Sequence, residues 1–196
     1  YDNILGVDIY LTLHNADNDK IQEIASEYDL ERSASFLKSY PTNWVENKDL
    51  KCFISHATEN KEVANLLKEE LSSHKIDCFV AHEDIKPSKK WQKEIEKALS
   101  SMDLFISIHT EYFNQSNWCQ QEVGFALASK TEIIPIKSSK NKIDPTAFLG
   151  EIQAFTWRDN TKIIDDIISY IRDSSLGEKY EKINPGPVEI DDEIPF

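Results

Sequence analysis

The chain has 196 residues, 40% of them hydrophobic, and a formal net charge of −13. This length accommodates one domain of about 100–150 residues with flanking segments, and the apolar fraction suffices for a packed core. The acidity argues against a nucleic-acid-binding face, and no run approaches the ~18 apolar residues that a membrane span needs.

Residues 1–49 carry 4 basic and 10 acidic side chains. Within them Val7, Ile9, Leu11 and Leu13 alternate as in a strand, and 19–28 and 30–39 read as helices before Pro41 interrupts the pattern. Residues 1–48 thus form an N-terminal extension or the end of a preceding domain. Tyr1 stands where a Met would open a complete chain, so the protein's own start is expected upstream; no signal-peptide pattern is present.

From residue 49 to 174 strand and helix patterns alternate. Lys51–Ser55 is a short apolar strand, followed by a helix over 59–73 with Val63, Leu66, Leu67 and Leu71 at helical spacing. Ile76–Ala81 is a second strand. Ser88 suits the N-cap of a helix whose stripe is Trp91, Ile95, Leu99 and Met102. Asp103–Ile108 is the third strand, and Ser116 caps the helix that follows. Glu132–Ile136 is a fourth strand, its Pro135 suggesting a place near the sheet edge. Residues 154–157 make a short fifth strand before a helix carrying Ile163, Ile164, Ile167, Ile168 and Ile171. Such alternation predicts an α/β fold, a parallel sheet covered by helices on both faces. Beyond 175 the chain carries 2 basic and 6 acidic residues with Pro185, Pro187 and Pro195, and reads as an acidic tail or linker. Cys52, Cys78 and Cys119 are odd in number and widely spaced, as buried thiols in a reducing compartment would be. A cytoplasmic location is expected.

Ligands of open parallel sheets bind beyond the carboxyl ends of the strands. Here those ends are Ser55-His56, His82-Glu83-Asp84 and His109-Thr110. The three histidines read as a polar rim, as part of a nucleotide pocket, or as metal ligands. No HxH or HExxH pairing is present, and no metal is expected. Beside them runs Ser116-Asn117-Trp118-Cys119-Gln120-Gln121-Glu122-Val123. On a helix Trp118 and Glu122 are i and i+4 and stack on one face, while Cys119, Val123 and Ala126 or Leu127 make the core stripe. Glu122 is expected at the edge of that stripe, roofed by the indole, only partly buried and perturbed in its titration, so that Glu122→Ala would be nearly neutral for stability. The plainer alternative is a surface glutamate over a core tryptophan. Trp91 reads as core.

None of the five glycines lies in the turn after the first strand, which excludes a dinucleotide cradle and a P-loop. A phosphoacceptor receiver would want acids after the first strand and an Asp ending the third. Ser55-His56 and His109 stand there instead.

Phe53-Ile54-Ser55-His56-Ala57, Phe79-Val80-Ala81-His82-Glu83-Asp84-Ile85 and Ser116–Glu122, in that order, resemble a TIR domain of the prokaryotic type over about 49–172. The resemblance implies a flavodoxin-like, three-layer sandwich with a five-stranded parallel sheet in the order 2-1-3-4-5. It implies either cleavage of NAD+ at the nicotinamide–ribose bond or scaffolding without catalysis. Glu122 matches the essential glutamate and Trp118 the residue four before it. Phe53, Ser55 and His56 match the motif lining the nucleotide site. His82 and Asp84 fall in the loop, 82–88, that gates the pocket and supports self-association with other TIR domains. NAD+ is then substrate, no cofactor is implied, and the setting is a bacterial immune effector activated by assembly. Glycosidic cleavage passes through an oxocarbenium-like ribose, which one carboxylate in a low-dielectric pocket can stabilise. A deoxyribosyltransferase-type enzyme, with a similar layered fold and a glutamate nucleophile, is a further alternative.

Overall fold

The computed structural model describes residues 40, 41, 44, 49–80, 89–139 and 143–185. The strand and helices expected before residue 40, the loop at 82–88 and the last proline-rich stretch lie outside the described residues.

The order of elements is β1 (Leu50–Ser55), α1 (Lys61–Ser73), β2 (Ile76–Val80), α2 (Lys89–Ser101), β3 (Leu104–His109), α3 (Asn117–Ala128), β4 (Glu132–Ser138), β5 (Phe155–Trp157), α4 (Asn160–Asp173) and α5 (Gly177–Ile183). The strands form one sheet in the order β2-β1-β3-β4-β5, with all pairs parallel. β1 and β3 are buried along their whole lengths, as strands covered by helices on both faces must be. From β1 the chain moves outward to β2 and then returns to the other side of β1 as β3. The strand order therefore reverses between β1 and β3, where an open α/β sheet leaves a crevice.

Alternation along each strand sorts the side chains into two layers. Cys52, Ile54, Cys78, Ile106 and Ile134 face one way and pack with Leu67 and Leu71 of α1 and Ile163, Ile167 and Ile171 of α4. Phe53, Phe79, Phe105 and Ile133 face the other way, onto Ile95 and Ala98 of α2 and Cys119, Val123 and Ala126 of α3. On this second face Phe79, Phe53 and Phe105 are in register across three strands. Their rings stack at centroid distances of 5.5 and 5.8 Å. The next row toward the carboxyl ends pairs Ser55 with Ser107.

Pro135 sits well in β4 because β5 pairs only with Ile136–Ser138. The first part of β4 is thus a sheet edge, the place that tolerates a missing N–H. Residues of both flanking stretches pack on this core. Trp44 is buried, edge-on to Phe79 at 6.1 Å and under the Lys51 ammonium at 5.8 Å. Residues 177–183 are a helix instead of a tail, with Tyr180 only 2% exposed. The polar, acidic composition hid an apolar stripe of Leu176, Tyr180 and Ile183 at helical spacing, all packed on the first layer. Gly177 permits this docking, since a Cβ there would lie 2.2 Å from the Arg172 carbonyl oxygen. No helix among the described residues is long and apolar enough to cross a membrane.

Candidate active site

Ser116 follows a short 3-10 turn at Phe113–Gln115 with extended backbone of its own, and its Oγ accepts a hydrogen bond from the Cys119 amide at 3.3 Å, capping α3 as its residue type favours. From that start Cys119, Val123 and Ala126 point into the core, and so does Glu122, at 5% exposure. This corrects the expectation of a partly buried carboxylate under an indole roof. Trp118 is the more open of the two, 37% exposed, with its ring edge-on to Trp91 at 5.6 Å. Trp91 is half-buried against the second core layer.

Glu122 tolerates this depth because β1 delivers a donor to it. Ser55 Oγ donates to Glu122 Oε2 at 2.5 Å, and Ser55 is itself fully buried. A hydroxyl bonded to a carboxylate is short and strong, and it offsets part of the cost of taking the charge from water. The pair stands at the carboxyl end of β1, at the reversal of strand order. Glu122→Ala is accordingly not neutral: it would leave a void and a buried hydroxyl without its acceptor.

His56 directly follows Ser55 and is 4% exposed. Phe53, two residues before Ser55 on the same face, is wholly enclosed between Phe79 and Phe105. It is a floor beneath the Ser55 row and offers no surface to a ligand, contrary to the expected lining role. The strand period explains this: the residue two before a strand end lies one layer deeper. His82 and Asp84 lie outside the described residues.

The buried polar row continues past Glu122 in a way the sequence reading missed. Ser107 lies in register with Ser55 on the adjacent strand, and its Oγ is 3.0 Å from His109 Nε2. Burial pushes the His109 pKa down from 6.5 to about 4, so the ring is neutral near pH 7. Counting back two residues from His109 along an alternating strand would have flagged Ser107. Thr110 Oγ1 donates to Asn60 Oδ1 at 2.8 Å, tying the end of β3 to the turn after β1; no motif announced Asn60. Among the described residues no group of three or more His, Cys, Asp or Glu is placed to hold a metal ion. The Ser55–Glu122 pair and, on the adjacent strand, the Ser107–His109 pair stand side by side at the switch point of a parallel sheet, and a carboxylate held there is able to stabilise developing positive charge.

Residues 52–168 match the family profile described as TIR domain. The chain belongs to the TIR domain family. The crystal structure of the TIR domain of the Toll-related Receptor TRR-2 from Hydra magnipapillata is similar in fold, with a TM-score of 0.51 and 24% identity, covering 63% of this chain and 97% of that one. No curated protein matches the chain.

Proposed function

We propose that this TIR domain cleaves NAD+ between nicotinamide and ribose, with Glu122 as the catalytic carboxylate. The observation that carries the reading is the Glu122 carboxylate, held by Ser55 at 2.5 Å at the carboxyl end of β1. Nicotinamide leaves as a neutral molecule from a cationic ribosyl pyridinium, so the step needs no general acid. The bond to C1′ breaks with both electrons going to the pyridine nitrogen, and the ribose becomes oxocarbenium-like. A carboxylate fixed in a water-poor pocket stabilises that charge without reorganising. Water then adds to C1′ and releases a proton, giving ADP-ribose; capture by another atom of the same ADP-ribose would give a cyclic product instead.

In this reading Ser55 positions Glu122, while His56, Trp118, His82 and Asp84 contact the nucleotide. Phe53 contributes through the floor that sets the height of Ser55. The protein acts in the cytoplasm as a bacterial immune effector, and self-association through the 82–88 loop assembles the competent site. The test is nicotinamide release from NAD+ by concentrated protein with a crowding agent, wild type beside Glu122→Gln, with products separated chromatographically. Glu122→Gln should lower the rate by about 10³-fold or more, the scale of losing one preorganised electrostatic group, while its melting curve stays close to wild type. Equal release by both proteins would remove Glu122 from the chemistry.

A second reading is a non-catalytic scaffold that binds other TIR domains. It is favoured by the burial of Glu122, 5% exposed and bonded to an equally buried Ser55, as a structural pair would be. Absence of nicotinamide release from assembled wild-type protein would select it.

A further inference from the structure

Past Ser55 the first strand leaves its ladder. Among the described residues β1 pairs with β2 as far as Ile54 and with β3 as far as Ser55. Ser55, whose hydroxyl holds Glu122, is thus the last residue of β1 that the sheet fixes. The chain then turns through Thr58–Asn60, a stretch with no buried side chain to anchor it. A hydrogen bond from the neighbouring strand meets it there. Thr110 Oγ1, just past the end of β3 and 6% exposed, donates to Asn60 Oδ1 at 2.8 Å.

Asn60 makes this bond in place of a more usual one. It is the N-cap of α1, where an asparagine oxygen ordinarily accepts from an amide of the first turn. No such cap bond is present. Its own amide donates to the Ala57 carbonyl at 2.8 Å, so the residue that receives Thr110 also closes the turn. Two ties therefore bracket the end of β1: the register of Ser55 with Ser107 on the sheet, and the Thr110–Asn60 bond beyond it. Together they set the direction in which β1 leaves the sheet, and that direction decides where Ser55 Oγ stands. A hydroxyl–carboxylate bond as short as that of Ser55 and Glu122 is sensitive to such placement, because hydrogen bonds weaken steeply with misalignment.

We infer that Asn60 and Thr110 are positioning residues: their hydrogen bond holds the carboxyl end of β1 so that Ser55 keeps the Glu122 carboxylate in place for the reaction. The inference rests on Glu122 as the catalytic carboxylate. Neither Asn60 nor Thr110 is required to touch the substrate.

Thr110→Val keeps the shape of the side chain and removes the donor. Asn60→Ala removes the acceptor without removing a cap, since Asn60 makes none. Proton NMR of the full chain gives a readout without NAD+. The Ser55 hydroxyl proton, buried and in a short bond to a carboxylate, should appear as a slowly exchanging downfield line that Ser55→Ala deletes. In Thr110→Val and Asn60→Ala this line should move upfield and exchange about tenfold faster, as local opening becomes easier. Thr110→Ser, which retains the hydroxyl, should restore most of it. With NAD+, each of the first two variants should lower kcat for nicotinamide release by about ten- to a hundredfold, with KM within about twofold of wild type. The double variant should be no slower than the slower single one, because the same bond is lost in every case. A wild-type spectrum without the line, an unchanged line in a folded Thr110→Val or Asn60→Ala, additive losses in the double variant, or a raised KM with kcat intact would each overturn the inference. If wild-type protein releases no nicotinamide, the cleavage reading falls, whereas the hold on Ser55 is still decided by the line.

Discussion

The two faces of the sheet share their strands yet differ in chemistry from end to end. The face under α1, α4 and α5 is almost wholly aliphatic, with isoleucines from β1, β3, β4 and α4 filling it. The face under α2 and α3 begins with a row of stacked phenylalanines and passes, one row later, into Ser55, Ser107, His109 and Glu122. Period-2 alternation makes this separation possible: adjacent residues of one strand serve opposite layers, so polar groups can gather on one face without thinning the core of the other. One face holds the domain together, and the other holds a buried polar cluster at the crevice.

Substitutions that act on one face only would sharpen that comparison. The largest stability effect belongs to the aliphatic layer. Ile167→Ala, at a fully buried position of α4, should cost about 2–5 kcal/mol in denaturant unfolding. The folded fraction should keep whatever nicotinamide release wild type has. Loss of release without loss of stability would show the faces are not separable.

Acid should strike the polar face next. The folded protein keeps His109 neutral down to about pH 4, whereas an unfolded imidazole titrates near 6.5. Between those values the unfolded chain binds more protons, so the contribution is intact above pH 6.5 and is lost as pH falls toward 4. The full difference is at most about 3 kcal/mol. In His109→Gln the drop in unfolding free energy from pH 7 to pH 4.5 should be smaller than in wild type; parallel profiles would refute a neutral buried imidazole.

Ser55→Ala comes third. It removes the donor to Glu122 and should destabilise by about 1–3 kcal/mol, the cost of a buried polar group left without its partner. Nicotinamide release should fall along with it, and Ser55→Thr should restore part of both. Unchanged stability would mean that the carboxylate is satisfied without Ser55.

The smallest effect is none at all. Cys52 and Cys78 lie in register on β1 and β2, and Cys119 is buried on α3. Burial pushes the Cys52 thiol well above its usual range, with Cys78 beside it. Iodoacetamide should label none of the three in native protein and all three in denaturant. Labelling of native Cys52 would show that the aliphatic face opens.

Much of this was legible in one dimension. Strands and helices between residues 50 and 173 follow from apolar period, and Ser116 announced its cap. Glu122 was visible as a carboxylate in an apolar helix. The burial of Glu122, by contrast, depended on a hydroxyl 67 positions away in sequence. Ser107 was invisible as a polar residue inside a strand, and Phe53 was misplaced because its depth depends on which row of the sheet it occupies. Trp44 and Tyr180 sat in segments whose charge concealed single anchoring aromatics.

By itself, then, the sequence determined the alternation of elements and the residues that end each strand. These are set by local periodicity and backbone preference, which act over a few residues. Only the tertiary structure decided which of those ends meet, how deeply Glu122 lies, and that Ser107 and His109 stand beside it. Such outcomes depend on strand register and on helices packing across the sheet, contacts between residues far apart in the chain.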